Sequence, residues 1–411
     1  MTPLQIASLL VCLAAFLGVV NHFLLRLPSA IGLVITGLVA ALAIIGLDEI
    51  FPALTIEETV RRLVLEIDFS DALLEGMLGF LLFAGALHVD LETLRQQKWV
   101  VALTASIGVL ISTALVAAGF GWLAGAPLLI ALVFGALISP TDPVAVLGIL
   151  KSAQVPKSLE VKIAGESLFN DGVAYVLFLI LVALAFGQGH GEAPIGAVEI
   201  LELFVLEVGG GAILGGAAGW LVFQAMRRID DYALEVLLTL ALVMGLYALA
   251  SALHMSGPIA VVIAGLFIGN TGVRFGMSET TRQHVDAFWR LVDEILNAVL
   301  FLLIGLEVFA LALRMDWLQL GLIMIPLVIA ARFVAVLFTV SLLRFRREFT
   351  EGAVPIMTWG GLRGGISVAL ALSLPDSEWK PLILTVTYVV VIFSIVVQGL
   401  TIRAVARHFL G

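Results

Sequence analysis

The chain has 411 residues, 61% of them hydrophobic and only 13% charged, with a formal net charge of −9 and a mean hydropathy of +1.13. A soluble globular domain carries about 25% charged residues, and each membrane-crossing helix uses about 20 apolar ones, so this composition suits about twelve or thirteen crossings and little else. It excludes a soluble enzyme and a single-anchor receptor; with 22 Lys and Arg against 31 Asp and Glu, it also excludes the basic surface of a nucleic-acid binder.

The first apolar run, 4–25, has no Lys or Arg before it. A cleaved signal peptide has a basic leading region, so this run reads as a retained span. Further spans are expected at 28–47, 72–90, 99–124, 127–150, 160–187, 197–226, 231–252, 256–270, 288–313, 317–343, 350–373 and 381–406, thirteen in all. Between 48 and 71, Ile56, Val60, Leu63, Val64 and Ile67 share one helical face, with Glu57, Glu58, Arg61, Arg62 and Asp68 elsewhere. That is the pattern of an amphipathic helix on the membrane surface. The expected organisation is one all-α membrane domain over 1–411, without a soluble regulatory domain. The single cysteine, Cys12, excludes an internal disulfide and a cysteine metal site.

Loop charges set the orientation. With the N-terminus outside, the inward loops hold fifteen Lys and Arg, among them Arg95, Lys98, Lys157, Arg227, Arg274 and Arg403, and the outward loops hold four: Arg61, Arg62, Arg314 and Lys380. The C-terminus is then cytoplasmic, as an odd number of spans requires.

Two spans are interrupted. The fifth carries Ser139-Pro140-Thr141-Asp142-Pro143 and the twelfth Gly360-Gly361-Leu362-Arg363-Gly364-Gly365. If spans 4–187 and 231–406 are two six-helix repeats joined by the span 197–226, each break lies in the fifth element of its half. Matching breaks of this kind point to a transport site at the bilayer midplane.

The same segments hold charges that are costly in a bilayer, at roughly 2.5–3.5 kcal/mol or more each: Asp142, Glu166, Asp171 and Arg363. Ser167 and Asp171 are four residues apart and face one way, as do Glu166 and Asn170 about 100° round the helix. An oxygen-only set with few carboxylates suits a hard monovalent cation. Neither proline has an N–H, so carbonyls freed near Thr141 join the candidate ligands. One base facing three acids leaves a surplus carboxylate, which takes either a proton or a cation. Glu166 is expected to pair structurally with Arg363.

Three motifs carry a resemblance. Ser139–Val146, Gly165-Glu166-Ser167-Leu168-Phe169-Asn170-Asp171-Gly172 and Gly360–Ser367 closely resemble the bacterial NhaP-type sodium/proton exchangers, relatives of the animal sodium/hydrogen exchangers. The resemblance implies a thirteen-span inverted-repeat fold of the NhaA-like kind, with discontinuous helices crossing at the ion site. It implies a homodimer in the bacterial cytoplasmic membrane and electroneutral exchange of one sodium (or lithium) for one proton, with no cofactor beyond the transported ions. On matching positions it makes Asp171 the ion- and proton-carrying acid, Asn170 its paired amide, Ser167 and Thr141 further cation ligands (the latter through its carbonyl), Asp142 the acid of the unwound span, and Glu166 and Arg363 a structural ion pair. One position departs: Leu82-Phe83-Ala84-Gly85-Ala86-Leu87 has Ala84 where many relatives carry glutamate.

A potassium/proton exchanger fits the same residues. A cation channel fits less well, because the chain lacks a Thr-Val-Gly-Tyr-Gly filter. Gly211, Gly215 and Gly219 line one face of the seventh span, spacing that serves close helix packing within the chain or across a dimer. Arg332 and Glu307 are expected to be buried structural charges.

Overall fold

Inside a bilayer no water is available to bond the backbone, so apolar runs of this length must satisfy themselves as helices. The computed structural model describes residues 3–51, 58, 60, 61, 72–142, 155–187, 197–311, 314–345 and 349–410, and these are helices joined by short turns. We number them α1 Leu4–Leu25, α2 Ser29–Ile50, α3 Ala72–Leu87, α4 Leu91–Ala124, α5 Leu128–Ile138, α6 Lys157–Phe186, α7 Ala197–Met226, α8 Tyr232–Ala252, α9 Gly257–Phe275, α10 Glu279–Leu306, α11 Met315–Leu343, α12 Ala353–Trp359, α13 Gly365–Leu372 and α14 Lys380–Leu410. Among the described residues nine helices are long and apolar enough to cross a membrane, and α3 and α5 are shorter apolar helices. Each helix falls on an expected span, with α12 and α13 dividing the twelfth. The expected surface helix between 48 and 71 lies mostly outside the described residues, as do Pro143 and the rest of the fifth span.

Two helices start earlier than hydropathy predicts. α4 begins at Leu91 rather than 99, because Asp90 caps it: its carboxylate accepts from the Glu92 N–H at 2.9 Å and from the Thr93 hydroxyl at 3.0 Å. Capping satisfies amide groups that a helix start leaves open, so the polar stretch Arg95–Lys98 stays helical. α10 begins at Glu279 rather than 288, with the Ser278 hydroxyl accepting from the Thr281 N–H.

Counting α12 and α13 together as one interrupted span, the packing pairs recur at an offset of seven spans. α2 packs on α10 and α9 on α3; α1 touches α10 and α8 touches α3; α4 packs on α6 and α11 on α14; α5 packs on α6 and α13 on α14. The glycine stripe of α7 is seated within the chain. A Cβ on Gly211 would lie 2.7 Å from the Ser256 carbonyl oxygen, and Gly215 and Gly219 similarly face the α9 backbone at Ala260 and Ala264.

Candidate functional site

α5 stops at Ile138, where Pro140 ends the amide supply. The Ser139 hydroxyl turns back to the Gly135 carbonyl at 2.7 Å and meets the Thr113 hydroxyl at 3.1 Å. The chain is then non-helical through Thr141 and Asp142 and touches the other interruption. The Asp142 N–H donates to the Leu362 carbonyl at 2.8 Å. Between α12 and α13, Gly361 to Gly364 are non-helical. Gly364 must be glycine for this approach, since a Cβ there would overlap the Asp142 side chain. The two expected breaks therefore meet.

Arg363 lies in the second break and is used on backbone. Its guanidinium donates through Nη1 to the Ser139 carbonyl and, at 3.0 Å, to the Pro140 carbonyl. Carbonyls at a helix C-terminus carry partial negative charge, so Arg363 holds the end of α5 to the α12–α13 break. Its own N–H donates to the Ser394 hydroxyl at 2.9 Å, and Ser394 donates on to Gln398 at 2.6 Å.

Glu166 bonds elsewhere, which corrects the expected Glu166–Arg363 pair. Arg332 of α11 grips it in a two-pronged fork, Nη1 to Oε1 and Nη2 to Oε2, the second at 2.9 Å. Arg332 Nη2 also reaches the Met357 carbonyl at the end of α12, at 3.2 Å. The reason is geometric: the carbonyls of the broken α5 take Arg363, and Glu166 faces α11. Arg363 stays within electrostatic reach of both Glu166 and Arg332, but its bonds go to carbonyls. The reading of Arg332 as a buried structural charge agrees with this pair.

The remaining α6 residues form a knot around Thr141. Asn170 Nδ2 donates to the Thr141 hydroxyl at 2.8 Å, the Thr141 N–H faces Asn170 Oδ1 at 3.4 Å, and the Thr141 and Ser167 hydroxyls are 2.9 Å apart. All three residues are buried. Asn170 thus reads both backbone and side chain of Thr141 and fixes the unwound chain against α6.

Asp171 is placed differently. It is 5% exposed and lines a cavity of about 610 Å³ between α3, α6, α10 and α13, whose wall also includes Asp142, Ala84, Asp293 and Asn297. The Asp142 carboxylate shares its cavity, and among the described residues Asp171 has no ion-pair partner. Ser167, Asn170 and Thr141 sit behind this wall, bonded to one another. Two carboxylates facing one cavity, whose basic wall residues Arg290 and His88 both meet Asp286 instead, form a place where a cation or a proton neutralises charge. Two wall residues, Asp293 and Asn297, were not foreseen. Their signal was the same four-residue spacing as Ser167 and Asp171.

Residues 9–408 match the family described as sodium/hydrogen exchanger, transmembrane. The Na+/H+ antiporter NhaP of Pseudomonas aeruginosa is 48% identical, over 98% of this chain and 96% of that protein. The Na+/H+ antiporter NhaH of Halobacillus dabanensis is 37% identical, over 93% and 92%. Among solved structures, the sodium proton antiporter MjNhaP1 from Methanocaldococcus jannaschii superposes with a TM-score of 0.76 at 19% identity, covering 98% of this chain and 97% of that one. That likeness places the fold with an NhaP-type structure, where an NhaA-like one was expected.

Proposed function

The chain belongs to the sodium/hydrogen exchanger family, a family of transporters, and on that premise we propose that it exchanges sodium or lithium for protons across the cytoplasmic membrane by alternating access. Asp171 is the carrier: it holds a cation or a proton and never both. The observation that carries this reading is the unopposed Asp171 carboxylate in a cavity shared with Asp142. Thr141, Ser167 and Asn170 shape the site and lend oxygens to the cation when it is bound. Glu166, with Arg332, and Arg363 hold the surrounding helices.

The same proposal includes thirteen spans in two inverted repeats, 4–187 and 231–406, joined by the span 197–226. The packing pairs that recur seven spans apart support it, as do the two interruptions that meet at Asp142 and Leu362. It further includes a homodimer, with the N-terminus outside and the C-terminus cytoplasmic.

The test is purified protein in liposomes with a pH-sensitive dye inside and sodium, lithium or potassium added outside. Proton movement evoked by sodium or lithium is expected. A response to potassium alone would reassign the cation, and no response to any of the three would end the exchange reading.

A further inference from the structure

The α10 wall of the cavity carries a second pair of oxygens. Asp293 and Asn297 are four residues apart and share one face of the helix. Asn297 Nδ2 donates to Asp293 Oδ1 at 2.9 Å. An ionised carboxylate only accepts hydrogen bonds, so this bond fixes the amide: its NH2 faces Asp293 and its oxygen turns away. That oxygen, Asn297 Oδ1, is buried without a hydrogen-bond partner among the described residues, on a side chain only 6% exposed that lines the same cavity as Asp142 and Asp171.

A buried acceptor left unmatched costs roughly 1–3 kcal/mol. The amide and, one turn away, a carboxylate stand together in the wall of the cavity. The neighbouring bases do not cancel that carboxylate by contact. Arg290 is bonded to Asp286 at 2.7 Å, and His88 meets the same Asp286 at 3.0 Å. Glu294 adds a further acid to the wall. One amide oxygen with carboxylate charge beside it suits a hard monovalent cation.

We propose that Asn297 and Asp293 form a second, weaker sodium site on the α10 wall, where the ion is held before it passes to Asp171. The Asn297 oxygen coordinates the ion and the Asp293 carboxylate supplies the charge that keeps it there. This rests on the exchange reading above, and it adds a site that moves no proton of its own.

The experiment measures equilibrium binding of radioactive sodium to the purified full-length protein at alkaline pH. Wild type is expected to bind two ions per chain, Asp171→Asn to retain one, and Asp171→Asn combined with Asp293→Asn to bind none. If Asp171→Asn binds none, or the double variant binds as much as the single one, the second site does not exist. Exchange in liposomes separates this from the parent reading. Asn297→Ala and Asp293→Asn are each expected to raise the KM for sodium about fivefold with the maximal rate kept. An unchanged KM, or a lost maximal rate at unchanged KM, overturns the site while leaving Asp171 as carrier. Asn297→Asp keeps the volume and adds charge, and a lowered KM in that variant would show that the oxygen, not the packing, matters. If wild type exchanges no cation at all, it is the exchange reading that fails.

Discussion

Glu166 and Asp171 lie five residues apart on α6, both in the interior, and their surroundings differ in kind. Glu166 is 1% exposed and both its oxygens are taken by the Arg332 fork. Asp171 is scarcely more exposed, yet it looks into a cavity that it shares with another acid, Asp142, and among the described residues no base is bonded to it. Burial alone therefore does not mark a transport residue. What separates the two is whether the carboxylate charge is already answered. A carboxylate with a bidentate partner is a joint between helices, and one without a partner must recruit its counter-charge from solution. The bilayer makes the difference large, because an unanswered charge there is expensive.

The largest effect is expected on the open side. Asp171→Asn removes the titrating group while keeping its size, so cation-evoked proton movement in liposomes should fall to background, with yield and thermal stability near wild type. Retained exchange in this variant would erase the contrast, because Asp171 would then be as structural as Glu166. The closed side should answer in stability. Removing one partner of a buried pair strands the other charge, at roughly 3–5 kcal/mol. Arg332→Ala should therefore lower the melting temperature and the yield sharply. Glu166→Leu with Arg332→Met should recover much of the loss, since a buried pair replaced by apolar groups is often neutral. Arg332→Lys is expected to rescue only in part, because an ammonium cannot reproduce the fork. If Arg332→Ala were harmless, the Glu166 partner assigned here would be wrong.

Arg363 sharpens the comparison. It is a buried base, but it serves carbonyls of Ser139 and Pro140 rather than an acid. Its loss leaves acceptors unmatched at roughly 1–3 kcal/mol, less than the stranded charge of the Arg332 variant. Arg363→Gln should thus destabilise less than Arg332→Ala while slowing exchange, because the end of α5 is no longer tied to the α12–α13 break beside Asp142. The reverse order of melting temperatures would restore Arg363 as the partner of Glu166.

That partner shows where sequence reading stops. Apolar run lengths located the helices, and the missing amide of Pro140 and the glycines from Gly360 to Gly365 located both breaks. Spacing of four along α6 placed Ser167 with Asp171 and Glu166 with Asn170. These are properties of one helix at a time. Which helix lies against the Glu166 face is a property of packing, and two bases, Arg332 and Arg363, were available. The start of α4 was hidden because the Asp90 cap works through side-chain oxygens that hydropathy ignores. Asp293 and Asn297 had the right spacing, but Asp286, Arg290 and Glu294 around them made the segment look like a span edge. In fact that charged half of α10 contributes to the cavity wall.

The smallest expected effect is that of membrane potential on the exchange rate. If Asp171 alone exchanges its counter-charge, it carries one cation one way and one proton the other, and both half-cycles move the same charge. Moving one net charge through 100 mV is worth about 2.3 kcal/mol, so a mechanism with net charge would answer steeply to potential and this one should stay flat. Asp142 is the residue that decides it, since it shares the cavity with Asp171. Its backbone is tied to Leu362 at the break, while its side chain faces the cavity. Liposomes with the potential clamped by valinomycin at several potassium gradients, and sodium as the driven ion, give the measurement. Equal rates across the series keep the transport charge on one carboxylate. A several-fold dependence that disappears in Asp142→Asn would put both acids into the cycle, and the open side of α6 would then be a pair working against the single closed Glu166.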